Sequence, residues 1–229
     1  MHPSLHAVTG AFGFSGRYIA QRLLAAHLPV ITLSNAPASS NPFPQNVPVF
    51  PLDFQHPDAL VQALRGVTTL YNTYWIRFNY RSPAFSHAAA VQNTLALFHA
   101  ARKAGVQRIV HTSITNPSLD SPLGYFRGKA QLEQALESLG IPYAILRPAV
   151  LFGPGDILIN NIAFLLRRFP CFLLFGRGDY RLQPIHVDDF AALAVEHGQR
   201  TDNRVIQAIG PETFTYRALV ATLAAALGL

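Results

Sequence analysis

Residues 8–20, VTGAFGFSGRYIA, place glycines at positions 10, 13 and 16 between an apolar run and a segment of helical periodicity. Glycine is needed where backbone turns with positive φ or passes close to a ligand, and a helix N-terminus offers unpaired N–H groups to an anion. Val8 closes the apolar run, and beyond the loop Ile19, Leu23 and Leu24 recur at helical spacing. The order strand, glycine loop, helix points to a nucleotide phosphate held on the loop rather than to a simple tight turn.

The rest of the chain repeats this alternation, which is the pattern of a parallel sheet with crossover helices. Strands are predicted over 5–8, 29–34, 47–52, 68–75, 108–113 and 143–150, and helices over 16–27, 58–65, 84–104 and 125–139, the last two ended by Gly105 and Gly140. Pro48 and Pro51 lie in the third strand and cannot donate to a ladder, so that strand belongs at an edge. A doubly wound sheet of order 3-2-1-4-5-6 puts it there. After residue 150 the rhythm loosens into a helix over 156–169, short strands over 171–176 and 180–187, a helix over 188–198 with Asp188 as its N-cap, a strand over 204–210 and a helix over 215–229. Residues 36–48 read as loop, and no repeat or low-complexity tract is present.

The fold class read from this pattern is α/β, a Rossmann-type doubly wound parallel sheet with a small C-terminal α/β substrate lobe. Residues 1–150 form the dinucleotide-binding core. Residues 151–229 form an interleaved lobe that also supplies the final sheet and helix elements and is not an independent domain.

With 229 residues, half of them hydrophobic, the chain can bury one sizeable core. No run approaches the ~18–20 apolar residues of a membrane span, and the N-terminus lacks a signal-peptide pattern, so a cytoplasmic protein is expected. The formal charge of +6 suits an anionic ligand. Only 13% of residues are charged, and the basic ones are scattered (Arg77 and Arg81, Arg102 and Lys103, Arg167 and Arg168), which argues against nucleic acid. Cys171, the one cysteine, follows Pro170 in an apolar run and reads as a core residue. No His/Cys/Asp cluster has metal-ligand spacing, and His186 and Asp188 read as fixing the start of a helix.

Tyr125 and Lys129, four residues apart, share one face of the predicted helix with Leu132, Leu136 and Leu139, whereas Arg127, Gln131, Gln134 and Glu137 fall away from it. A lysine on the sheet-facing stripe needs an anionic or hydroxyl-rich partner, which a dinucleotide ribose would provide; a lysine snorkelling from the helix start is the plainer account.

TGAFGFSGRYIA resembles the opening of the extended and atypical short-chain dehydrogenases/reductases. Further matches follow in order: LDF at 52–54, AARKAGVQRIVHTS at 100–113, YFRGK at 125–129, LRPAVLFGPGD at 146–156 and PIHVDD at 184–189. The resemblance spans nearly the whole chain and is nearest the atypical branch that includes NmrA-like redox sensors and the NAD(P)-binding subunit of respiratory complex I.

The resemblance implies an NAD(P)-dependent oxidoreductase, or an epimerase or dehydratase, in which Tyr125 is the general acid/base and Lys129 binds ribose and lowers the phenol's pKa. A non-catalytic NAD(P) sensor or assembly subunit is the alternative. The usual catalytic Ser/Thr position falls on Ile114, flanked by Ser113 and Thr115: either hydroxyl substitutes, Ser113 being the candidate catalytic residue, or the site is catalytically impaired. The implied cofactor contacts are Gly10, Phe12, Gly13, Phe14, Gly16 and Arg17 in the glycine loop, then Ser34, Asn35, Asp53, Phe54, Thr73, Tyr74, Ser113, Lys129, Arg147 and Pro148.

The end of the second strand, LSNAP, carries no carboxylate to repel a 2′-phosphate, and Ser34, Asn35 and Arg17 are donors, so NADP is preferred to NAD. Asp53 matches the adenine-binding residue of the family; a turn or helix-capping aspartate explains it nearly as well. Tyr74 and Trp75 stand where the family has small residues, either narrowing the substrate entrance or packing in the core. The resemblance implies a substrate contact from Tyr125, and its nucleotide-sugar members imply further ones from Asn160, Asn161 and Arg181; the Arg-Gly-Asp at 177–179 is read as chance. The partner implied is a small-molecule substrate, with a homodimer or larger complex left open. The chain stops directly after a helix, earlier than extended members do, so the lobe is either minimal or truncated.

Overall fold

The computed structural model describes residues 4–76, 78, 83–174 and 176–229. Arg77, Arg81 and Phe175 therefore lie outside the described residues. The first part of the chain alternates β1 (Leu5–Thr9), α1 (Phe14–Ala25), β2 (Val30–Leu33), β3 (Val49–Phe50), α2 (Pro57–Ala63), β4 (Val67–Asn72), α3 (His87–Ala104), β5 (Arg108–Thr112), α4 (Gly124–Glu137) and β6 (Tyr143–Leu146). The remainder forms β7 (Val150–Phe152), α5 (Leu158–Arg168), β8 (Arg181–Leu182), β9 (Pro184–His186), α6 (Val187–Gly198), β10 (Arg204–Ile206), β11 (Phe214–Thr215) and α7 (Tyr216–Ala226).

Seven strands make one parallel sheet in the order β10-β6-β5-β4-β1-β2-β3. This is the anticipated 3-2-1-4-5-6 arrangement with β10 added beyond β6. The prolines act as expected on β3, which is an edge strand only two residues long. Side chains alternate across the sheet. Ala7, Ile31, Leu70, Ile109 and Ile145 pack with α2, α3 and α4 on one face, while Val8, Val30, Tyr71, Val110 and Ala144 pack with α1 and α6 on the other. Both faces are covered, so the central strands are buried on both sides, and their polar residues, among them Thr9, Thr32, Asn72 and His111, are buried too.

Several element boundaries differ from the sequence reading. The run 143–150 is two strands, because β6 ends before Pro148 and the chain enters β7, which pairs in parallel with β9 apart from the main sheet. The run 180–187 is likewise split, β8 pairing with β11 and β9 with β7. Residues 171–174 form no strand. α3 begins at His87 rather than at 84, since Pro83–Phe85 form a single 3-10 turn and the Ser86 hydroxyl accepts from the Ala89 N–H at 3.1 Å.

Asp188 does not cap α6. His186 does, its Nδ1 accepting from the Asp188 N–H at 3.3 Å, and Asp188 instead takes a two-pronged ion pair from Arg22 of α1 at 2.8 and 2.6 Å. The pair ties together the two helices on that face. A third small core, around Ile162, Tyr216 and Val220, joins α5 to α7 beside the C-terminal ends of the sheet strands.

Candidate active site

The strand order reverses between β1 and β4, and there a cleft of about 1120 Å³ opens beyond their C-terminal ends. Such a switch point is where an open α/β sheet accepts a ligand, because the loops leaving the two strands diverge. Three threonines hold this end. Thr9 Oγ1 accepts from the N–H groups of Thr73 at 2.8 Å and Tyr74 at 3.1 Å, and Thr73 Oγ1 donates to the Thr9 carbonyl at 2.6 Å. Thr32 Oγ1 accepts from the Ala11 N–H at 3.0 Å and donates to the Val8 carbonyl at 2.9 Å, pinning the loop to β2.

Gly10, Gly13, Phe14 and Gly16 line the cleft. Gly10 has φ +63°, and a Cβ on Gly16 would run into the Gly10 carbonyl, so these positions admit nothing larger. The N-cap of α1 is Gly13, with no capping side chain and no acidic residue in the first turn. That leaves helix-terminal N–H groups at the cleft, which fits a pyrophosphate.

Tyr125 and Lys129 both reach the cleft from α4. Leu132, Leu136 and Leu139 are buried on the same side, as the 3.6-residue period implies. The Lys129 ammonium is buried, donates to the Thr112 carbonyl at 2.7 Å and lies 4.3 Å from the centre of the Trp75 ring. Burial pulls its pKa down to about 7, opposed by the neighbouring Glu133 carboxylate. Trp75 meets Tyr125 edge to face at 5.3 Å and stacks on His87 at 5.7 Å.

Ser113 and Ile114 line the cleft, whereas Thr115 does not. The Ser113 hydroxyl donates to the buried Glu133 carboxylate, which also receives Arg147, Nε donating at 3.0 and 3.2 Å and Nη2 making a further short contact. Glu133 was missed in the sequence. It lies four residues after Lys129, so the same helical stepping that placed the leucines puts it on the buried stripe.

Other anticipated contacts divide. Ser34, Asn35, Thr73, Tyr74, Pro148 and Asn161 line the cleft. The Asn35 amide is already engaged with the backbone of Leu52, donating to its carbonyl at 3.3 Å and accepting from its N–H at 3.2 Å. Asp53 accepts from the Gln55 N–H at 2.9 Å and pairs with His56 at 2.7 Å, the turn role, and does not line the cleft. Phe54 packs on Tyr74 at 4.9 Å and Phe12 on Phe43 at 6.3 Å, both off the cleft wall.

Arg17 is directed at Gly155 and at a smaller cavity beside Phe43 rather than at Ser34, and Arg147 is committed to Glu133. Asn160 donates to the Asp156 carboxylate at 2.9 Å, and Arg181 is exposed on β8; neither lines the cleft. Cys171 is exposed at the cleft mouth, not in the core. Among the described residues no group of three or more His, Cys, Asp or Glu side chains could hold a metal, and no helix is long and apolar enough to cross a membrane.

Comparison with known proteins gives a match to the NAD dependent epimerase/dehydratase family over residues 6–209. One similar curated protein is the mitochondrial NADH dehydrogenase [ubiquinone] 1 alpha subcomplex subunit 9 of Arabidopsis thaliana, 26% identical over 93% of this chain and 55% of the relative. The chain thus spans little more than half the length of that relative. Among solved structures, the UDP-glucose 4-epimerase of Thermotoga maritima superposes with a TM-score of 0.82 at 19% identity, covering 98% of this chain and 82% of that one. A dTDP-glucose 4,6-dehydratase from Streptomyces venezuelae with NAD bound gives 0.78 at 25% identity, covering 97% and 81%.

Proposed function

The chain belongs to the NAD dependent epimerase/dehydratase family, and from that premise we propose that it is an NAD(P)-dependent oxidoreductase, or an epimerase or dehydratase working through transient hydride transfer, on a small carbonyl or hydroxyl substrate. The observation that carries the reading is that Tyr125 and Lys129, one turn apart on α4, open on the same cleft as the glycine loop at the N-terminus of α1. When bound, the nicotinamide cofactor supplies or takes up the hydride.

In the reducing direction Tyr125 would give its phenolic proton to the substrate's carbonyl oxygen, which would become the carbinol oxygen. Lys129 has donor capacity beyond its bond to Thr112, and that capacity holds a ribose hydroxyl. The loop N–H groups hold the pyrophosphate. NADP is preferred, supported by the lack of any carboxylate among Leu33, Ser34, Asn35 and Leu52 at that end of the cleft and by the Ser34 hydroxyl, which accepts from the Ala36 N–H and keeps its own proton for a phosphate.

A second reading is a non-catalytic cofactor-binding subunit of a larger complex. It is favoured by Ile114 on the cleft wall and by a Ser113 hydroxyl committed to Glu133. The plant relative carries the name of such a subunit. Purified protein assayed with NADPH against carbonyl and quinone panels separates the two. Turnover that falls ~10²- to 10⁴-fold in Tyr125→Phe at unchanged NADPH affinity supports the enzyme. Cofactor binding with no oxidation across the panels supports the subunit.

A further inference from the structure

Part of the cleft, an arm, is walled by α5 and the segment after it. Leu158, Asn161, Ile162 and Leu165 recur at the spacing of one helical face and all line it, and Phe169, Phe172 and Leu173 extend the wall. This surface is apolar yet wet: Leu165 is 39% exposed, Phe169 52% and Leu173 82%. A contiguous apolar concavity open to water is unfavourable in the free protein and marks a place that something apolar covers.

The Asn161 amide is the polar side chain of this helical face, and the one carboxylate nearby is already used. The Asp156 carboxylate accepts from the N–H groups of Gly153 and Ile159 and from the Asn160 amide, capping its own loop and helix. Among the described residues lining the cleft, Lys129 is the only cation, and it lies at the reacting end. A substrate carrying a diphosphate along this arm would leave water with no charged partner there, a large desolvation cost. An alkyl chain would meet matching surface.

We propose that this arm takes the hydrocarbon chain of an amphiphilic substrate whose carbonyl or carbinol carbon lies at Tyr125. The identity of the reacting end rests on the oxidoreductase reading; chain binding does not require it. The test is calorimetric titration of the full chain with 1-hexanol, 1-octanol and 1-decanol, beside UDP-glucose, with NADPH affinity measured separately. Burial of each added methylene predicts about three- to fourfold tighter binding until the arm is full.

Leu158→Glu and Leu173→Glu sit on exposed positions, and α5 tolerates an acid at its first turn, so both variants should fold. Each should weaken decanol at least tenfold and leave NADPH affinity unchanged. Affinity that ignores chain length, decanol binding equal in both variants and wild type, no decanol binding up to its solubility, or UDP-glucose binding in preference to the alcohols would overturn the proposal. Failure of both NADPH and NADH to bind would overturn the oxidoreductase reading, and the alcohol series would still decide the arm.

Discussion

The Lys129 ammonium lies 4.3 Å from the centre of the Trp75 indole, on the floor of the cleft that the glycine loop also faces. The indole stands just beyond the end of β4, where a small residue would leave the ammonium open to water. Lys129 is consequently 2% exposed, and the aromatic face replaces part of its lost hydration.

Trp75 is the only tryptophan in the chain, so its emission reports on this floor alone. NADPH bound through Lys129 should quench it or take up its energy. Titration of tryptophan emission checks this; a flat signal at millimolar NADPH, with binding established by calorimetry, would place the cofactor away from Trp75.

Ser34 lines the cleft, and the proposed NADP preference puts it beside the 2′-phosphate, where a carboxylate would repel it. Wild type should bind NADPH more tightly than NADH, and Ser34→Asp should reverse the order. Dissociation constants for both cofactors in both proteins decide it, and an unchanged ratio would remove Ser34 from the 2′-phosphate site.

Lys129 has its pKa lowered from 10.5 to about 7 by burial. Between those values the unfolded chain binds the extra proton, so this group makes stability rise with pH through that window and is most costly below pH 7. Lys129→Met should therefore be more stable than wild type at pH 6, by a margin that narrows by up to ~1.4 kcal/mol per pH unit between pH 7 and 10. Urea melts at pH 6, 8 and 9.5 measure it. A constant margin would mean that Lys129 does not change charge on unfolding. NADPH affinity should weaken with rising pH over the same range in wild type and stay level in the variant.

Glu133 joins Ser113 and Arg147 beneath the cleft, with its side chain only 6% exposed. Glu133→Gln keeps the shape and removes the charge, and the loss of charge-assisted bonds should cost about 1.5–3 kcal/mol in urea unfolding at pH 7.5. Arg147→Met should cost less when combined with Glu133→Gln than in wild type, since the pair is then already broken. Additive losses would show that the two side chains do not interact.

Much of the sheet was legible because its signals are local. Val8 before three spaced glycines, prolines in β3 and the period of Lys129, Leu132 and Leu136 each follow from what a few neighbouring residues do to a backbone. The same local logic put Tyr125 and Lys129 on one face. It also contained Glu133, which was overlooked on the stripe.

What the tertiary structure decided lies in pairs distant along the chain. Asn35 and Arg147 are donors by composition, and only folding commits them to Leu52 and Glu133, while it carries Arg17 beside Gly155. Asp188 looks like a cap until Arg22, 166 residues earlier, takes its carboxylate. The sequence alone determined the fold class and the glycine loop between β1 and α1, because strand, turn and helix preferences act over a few residues. Which polar groups remain available at the cleft, and that its far wall is apolar, depended on long-range packing, since a side chain's free valences are whatever its spatial neighbours leave unsatisfied.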